Sequence, residues 1–130
     1  MNILITALMR KEDREELKKQ FDAVIYRPWT DNGSGYDAET LLKMLNEHKA
    51  NALVTELDDV NASVLEAYHD LAFIGDCRAN PVNVDICTAT KYGIPVLCTP
   101  ARNAQAVAEL LVGCLVALMR NLPAAFEWIK

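Results

Sequence analysis

The groups best suited to meet a ligand in this 130-residue chain lie in one polar turn, Asp76-Cys77-Arg78-Ala79-Asn80. The turn follows an apolar run, Leu71 to Gly75, and is succeeded by Pro81 and a helix start near Asn83. A tight polar turn at a strand end can direct successive backbone N–H groups outward and so form an anion nest. Each charge-assisted hydrogen bond there would contribute about 1.5–3 kcal/mol to carboxylate binding. Arg78 could add its charge.

The other polar residues read as structural. His48 and His69 sit near helix C-termini, where a cation favours the helix dipole, and neither has an acid or nucleophile at useful spacing. Cys77, Cys87, Cys98 and Cys114 form no C-x-x-C pair and lie among apolar neighbours. They read as reduced, buried, small hydrophobes. A zinc site needs clustered thiolates and histidines, so no metal is expected. Asn83 and Asp85 read as helix-start residues, and Glu109 as a structural carboxylate. Asn103 reads first as the N-cap of the last helix, its side chain satisfying free N–H groups. No residue is assigned to catalysis.

Alternating strands and helices position these groups. Strands are expected at Asn2 to Ala7, Ala23 to Tyr26, Ala52 to Thr55, Leu71 to Gly75 and Ile94 to Leu97. Helices are expected at Glu12 to Gln20, from Asp37 to about His48, after Asn61 or Asp59, from Val84 to Tyr92, and from Asn103 to about Asn121. Gly93 reads as a C-cap glycine. Short apolar strands alternating with helices indicate a parallel sheet covered on both faces. The expected architecture is α/β: a flavodoxin-like three-layer sandwich with five strands in the order 2-1-3-4-5 and a long C-terminal interface helix. Residues 1–102 form the domain, and 103–130 the long helix. Ligands of such sheets bind beyond the carboxyl ends of the strands.

Composition narrows the function. The net charge is −5 and no run of Lys or Arg occurs, so nucleic acid is not an expected partner. No signal peptide is read at the N-terminus. The longest apolar run, Leu110 to Met119, is too short to span a bilayer, so no membrane partner is expected and the location expected is the cytoplasm. That run is apolar on nearly every side, whereas packing on a sheet needs a single stripe. It calls for a second subunit, a second domain, or both. A homodimer through Val107, Leu111, Leu115 and Leu118 is expected. A phosphoreceiver would need an acidic pair after strand one, and a flavodoxin a hydroxyl- and glycine-rich loop there. Thr6-Ala7-Leu8 and Leu8-Met9-Arg10-Lys11 supply neither.

Three stretches taken in order carry a resemblance. They are Phe73-Ile74-Gly75-Asp76-Cys77-Arg78-Ala79-Asn80-Pro81-Val82-Asn83-Val84-Asp85, then Ala89-Thr90-Lys91-Tyr92-Gly93-Ile94-Pro95-Val96, then Thr99-Pro100-Ala101-Arg102-Asn103 with Val107-Ala108-Glu109-Leu110. Together they resemble the D-2-hydroxyacid dehydrogenases, with phosphoglycerate dehydrogenase the nearest branch. The resemblance implies the substrate-binding part of a two-domain enzyme in which a hydride passes between NAD and a small 2-hydroxy or 2-oxo acid. By position, the backbone of Ala79 and Asn80 would hold the substrate carboxylate, and Thr55 and Glu56 would border the substrate. Asn103 would lie near substrate and at the edge of the nicotinamide.

The sequence departs from the family at three points. Asn80 stands where glycine is usual, and asparagine tolerates left-handed backbone better than most residues. Thr55 and Glu56 replace an arginine and serine common in phosphoglycerate dehydrogenases, and Glu56 would repel a phosphorylated substrate. No G-x-G-x-x-G follows a strand, since Gly33-Ser34-Gly35 lies in a loop. NAD is therefore expected in the parent enzyme and not on this chain, which would be inactive without the missing NAD-binding domain. The alternative is a stand-alone dimeric module that binds small acids or directs assembly.

Overall fold

A computed structural model describes residues 1–129. Its contacts divide the chain into a first unit, Met1–Pro100, and a second that begins at Ala101. The first unit contains strands β1 (Asn2–Ile5), β2 (Ala23–Tyr26), β3 (Ala52–Thr55), β4 (Phe73–Asp76) and β5 (Val96–Cys98). Between them run helices α1 (Lys11–Leu17), α2 (Ala38–His48), α3 (Ala62–Ala67) and α4 (Ile86–Lys91). All strand pairs are parallel, in the order β2-β1-β3-β4-β5 expected from the sequence.

Alternation along each strand sends side chains to opposite faces. Leu4, Leu53 and Ile74 point to the face covered by α2, α3 and α4, where Leu41, Leu45, Val64 and Leu65 meet them. Six of these side chains (Leu4, Leu41, Leu45, Leu53, Leu65 and Ile74) are wholly buried. Each contributes about 1.5–3 kcal/mol relative to exposure. Ile3, Ile5 and Ala52 point to the other face, with Leu17 of α1 and Phe21 packed against them.

The helix ends follow local chemistry. Asp37, Asn61 and Asp85 accept hydrogen bonds from the N–H groups of Thr40, Val64 and Thr88. Gly93, at φ 70°, ends α4 and lets Ile94 N–H return to the Ala89 carbonyl at 2.8 Å. Several expectations differ in extent: β1 ends at Ile5 and not Ala7, α1 covers Lys11–Leu17 and not Glu12 to Gln20, and β5 covers Val96–Cys98 and not Ile94 to Leu97. The helix read from Val84 begins only at Ile86, because Val84 bridges Val60 as a strand residue. The strand read as Leu71 to Gly75 is Phe73–Asp76, which places Asp76 in its last register position opposite Thr55.

One buried carboxylate ties the strand ends together. Asp58 is fully buried. Its Oδ2 accepts the hydroxyls of Thr6 and of Thr55, the latter at 2.6 Å, and its Oδ1 accepts the Tyr36 N–H at 2.9 Å. The Asp58 carbonyl accepts Asn83 Nδ2 at 3.2 Å. The loops entering α2 and α4 are thereby fixed to the ends of β1 and β3. Gly35 belongs to the same seam: a Cβ there would stand 2.2 Å from the Leu57 carbonyl oxygen, so only glycine lets the backbones approach.

The cysteines depart from expectation. None of the four is buried; Cys87 and Cys114 are exposed, and Cys77 and Cys98 half-buried. Cys87 lies on the outer side of a six-residue helix and Cys114 on a helix without buried residues.

The second unit holds α5 (Ala104–Met119) and α6 (Leu122–Ile129). The helix expected from Asn103 to about Asn121 ends at Met119, Asn121 follows with a φ of 50°, and α6 was not anticipated. Asn103 precedes α5 but its side chain makes no capping bond; its backbone is at φ −113°, ψ 11°, outside the extended geometry of a side-chain cap. No single helix among the described residues is long and apolar enough to cross a membrane; α5 and α6 reach that length together only across a 62° bend.

Replacing Asp58 by Ala would leave the Thr55 hydroxyl and the Tyr36 N–H buried without their acceptor, while the Thr6 hydroxyl keeps the Val54 carbonyl at 3.1 Å. Urea unfolding of Asp58→Ala is expected to show a loss of about 3 kcal/mol. A change below about 0.5 kcal/mol would contradict the role given to Asp58.

Candidate functional site

The carboxyl ends of β3 and β4 carry the site. Thr55 and Asp76 are register partners, so the segments that follow them leave the sheet side by side. The ladder continues for one residue: Cys77 N–H donates to the Thr55 carbonyl at 2.9 Å. It then stops. Arg78 N–H turns back to Asp76 Oδ1 at 3.1 Å, and the Arg78 carbonyl accepts Thr99 N–H at 3.0 Å. Ala79 and Asn80 are exposed, and neither of their N–H groups has a partner among the described residues. These are the backbone donors that a carboxylate could accept from.

The loop differs from the nest expected in one respect. No residue from 76 to 81 has positive φ, so Asn80 does not use its left-handed tolerance. Pro81 explains this, since the residue before proline is held to extended backbone. The amides are open because the ladder has ended, and the turns Val82 N–H to Asn80 carbonyl (2.9 Å) and Val84 N–H to Pro81 carbonyl (3.2 Å) hold the loop's far side.

The sequence-derived residues Thr55, Glu56, Arg78, Ala79 and Asn80 thus share one edge of the sheet. They are not equally available. Thr55 is fully buried and its hydroxyl donates to Asp58. Glu56 is half-buried and accepts Trp29 Nε1 at 3.1 Å. Trp29 itself is anchored across β1, its N–H donating to the Thr6 carbonyl at 2.8 Å. Arg78 is half-buried. Asn103 belongs to the second unit, as do Val107, Leu111, Leu115 and Leu118, which are 55%, 62%, 51% and 75% exposed on α5. Among the described residues no His, Cys, Asp and Glu cluster could hold a metal.

Sequence reasoning missed Asp58 and Trp29, and placed Asp76 in the polar turn without giving it a role. The available signal for Asp76 was an acid closing an apolar strand, Phe-Ile-Gly-Asp. Asp76 is 1% exposed, and its Oδ2 has no partner among the described residues. Burial holds its carboxyl above the usual carboxylate range; the Arg78 N–H and charge oppose this, and Glu56 and Asp58 reinforce it. The folded chain therefore binds this proton more tightly than the unfolded chain does. Its contribution to stability falls as pH rises from the ordinary carboxylate value through the raised one. Asp76→Asn keeps the Oδ1 acceptor and removes the charge. Thermal melts are expected to place this variant above wild type near neutral pH, with the gap closing below about pH 4. A gap independent of pH would refute the assignment.

Comparison with known proteins identifies the family and the fold. Residues 3–120 match the family described as D-isomer specific 2-hydroxyacid dehydrogenase, catalytic domain. YoaD of Bacillus subtilis (strain 168) is 42% identical over 130 residues, which is all of this chain and 38% of YoaD. The chain thus spans less than half of that relative's length. Among solved structures, the TT0316 protein of Thermus thermophilus superposes with a TM-score of 0.80 at 23% identity, covering 98% of this chain and 40% of that one. The NAD-bound 3-phosphoglycerate dehydrogenase of Entamoeba histolytica superposes at 0.69 and 18% identity, covering 90% and 38%. With the match running through every strand and through the open loop after β4, the chain belongs to the D-isomer-specific 2-hydroxyacid dehydrogenase family.

Proposed function

We propose that this chain is the acid-binding domain of an NAD-dependent D-2-hydroxyacid dehydrogenase resembling phosphoglycerate dehydrogenase. The substrate's carboxylate accepts the N–H groups of Ala79 and Asn80, and Arg78 supplies positive charge beside it. The observation that carries this reading is the pair of unpartnered, exposed amides at the carboxyl end of β4. Oriented backbone donors and a nearby cation suit a small planar anion.

The residues present do not fit NAD. The turn after β1 reads Thr6-Ala7-Leu8-Met9-Arg10 and has no glycine with which to approach a pyrophosphate. The 130 residues accordingly bind the acid without turning it over, and a dinucleotide is held by another part of a longer protein.

The exposed apolar residues of α5 support a second element of this reading, a homodimer formed through Val107, Leu111, Leu115 and Leu118. Exposed apolar patches of this kind mark interaction surfaces.

Calorimetric titration of the chain with D-lactate is expected to give saturable binding that Arg78→Ala weakens by about tenfold. Assays of the same chain with a 2-oxo acid and NADH are expected to show no turnover. Turnover, or the absence of any acid binding, would overturn the reading. Light scattering is expected to show a dimer at micromolar concentration, and Leu111→Asp a monomer, since the variant would bury an unpaired charge. A wild-type monomer would remove the dimer.

A further inference from the structure

The loop that presents the amides is rooted in a buried carboxyl that the acid-binding reading leaves unused. Asp76 closes β4 and is 1% exposed. Its Oδ1 accepts the Arg78 N–H at 3.1 Å, and its Oδ2 has no partner among the described residues. Consecutive backbone positions lie about 3.8 Å apart, so this carboxyl stands within about 7 Å of the Ala79 nitrogen. Its register partners are Thr55 on β3 and Cys98 on β5. The charged groups that act on it are Arg78 from its own loop, and Glu56 and Asp58 from the segment after β3.

We propose that Asp76 is a positioning residue of the acid site: it holds back the Arg78 amide, leaves the next two amides to the ligand, and ties acid binding to a proton on its own carboxyl. The inference rests on the acid-binding reading given above. With the proton on, an incoming anion meets the two amides and Arg78. With the proton off, it also meets a buried like charge at the root of the loop, and buried charges are poorly screened. A seated anion therefore strengthens the hold of Asp76 on its proton, and binding draws a proton from solution wherever the free chain has lost it. Burial already holds this carboxyl above its usual range. Affinity is accordingly full at low pH and falls as pH rises through the raised value.

Calorimetric titration of the 130-residue chain with D-lactate, from about pH 5 to about pH 8, reads this coupling. Wild-type affinity is expected to fall by about fivefold or more across that range. Proton uptake is expected to appear as a binding heat that varies with the ionisation enthalpy of the buffer. Asp76→Asn keeps an acceptor for the Arg78 N–H and carries no charge. It is expected to hold the low-pH wild-type affinity within about twofold throughout, without proton uptake. The Arg78 amide proton, bonded to Oδ1, reports the titration by its chemical shift. That shift is expected to move with pH in wild type, to have its midpoint raised by saturating D-lactate, and to stay level in Asp76→Asn. Saturable wild-type binding that is independent of pH, or a slope that Asp76→Asn retains, overturns this proposal and leaves the acid-binding reading standing. Absence of saturable binding at every pH fails that reading and takes this inference with it.

Discussion

The buried carboxylate of Asp58 is the constraint on which the open edge of the sheet depends. A parallel sheet of four-residue strands gives little purchase to the loops at its carboxyl end. Asp58 supplies it by accepting from β1, from β3 and from the loop entering α2, while its backbone receives Asn83. Buried charge is tolerated only where hydrogen bonds replace water, and here both carboxylate oxygens are used. The close passage of Gly35 over Leu57 belongs to the same arrangement, because any side chain there would push the Tyr36 amide off its acceptor.

With those loops fixed, the segment after β4 can stay open. The ladder ends at Cys77, Asp76 turns the Arg78 N–H aside, and Pro81 disfavours helical backbone at Asn80. What remains exposed is a short stretch of backbone donors beside one arginine. The surrounding acids shape what such a stretch accepts. Burial and the neighbouring acids hold the Asp76 carboxyl above the usual carboxylate range, while the Glu56 carboxylate accepts the Trp29 indole N–H. Stability and binding are therefore set by the same few polar groups.

Much of this was legible in the residues. Strand order followed from the alternation of apolar runs and helices, because short buried strands and amphipathic helices have different periods. The loop after β4 stood out because a polar turn ending in proline cannot continue a strand. Asp58 was not legible: its partners Thr6 and Tyr36 lie 52 and 22 residues away, and only folding brings them together. Trp29 was hidden for the same reason, since its partner Glu56 is 27 residues distant. The cysteines misled because apolar neighbours in sequence do not imply apolar neighbours in space. The cap at Asn103 failed because residue type does not set the backbone geometry that capping requires.

Amide hydrogen exchange read residue by residue, with and without D-lactate, tests the central claim most directly. The account predicts slow exchange at Tyr36 and Cys77, fast exchange at Ala79 and Asn80, and marked slowing of the latter two when the acid saturates the chain. Protection of Ala79 and Asn80 equal to that of Cys77 in the free chain, or exchange there that saturating acid leaves unchanged, would contradict it.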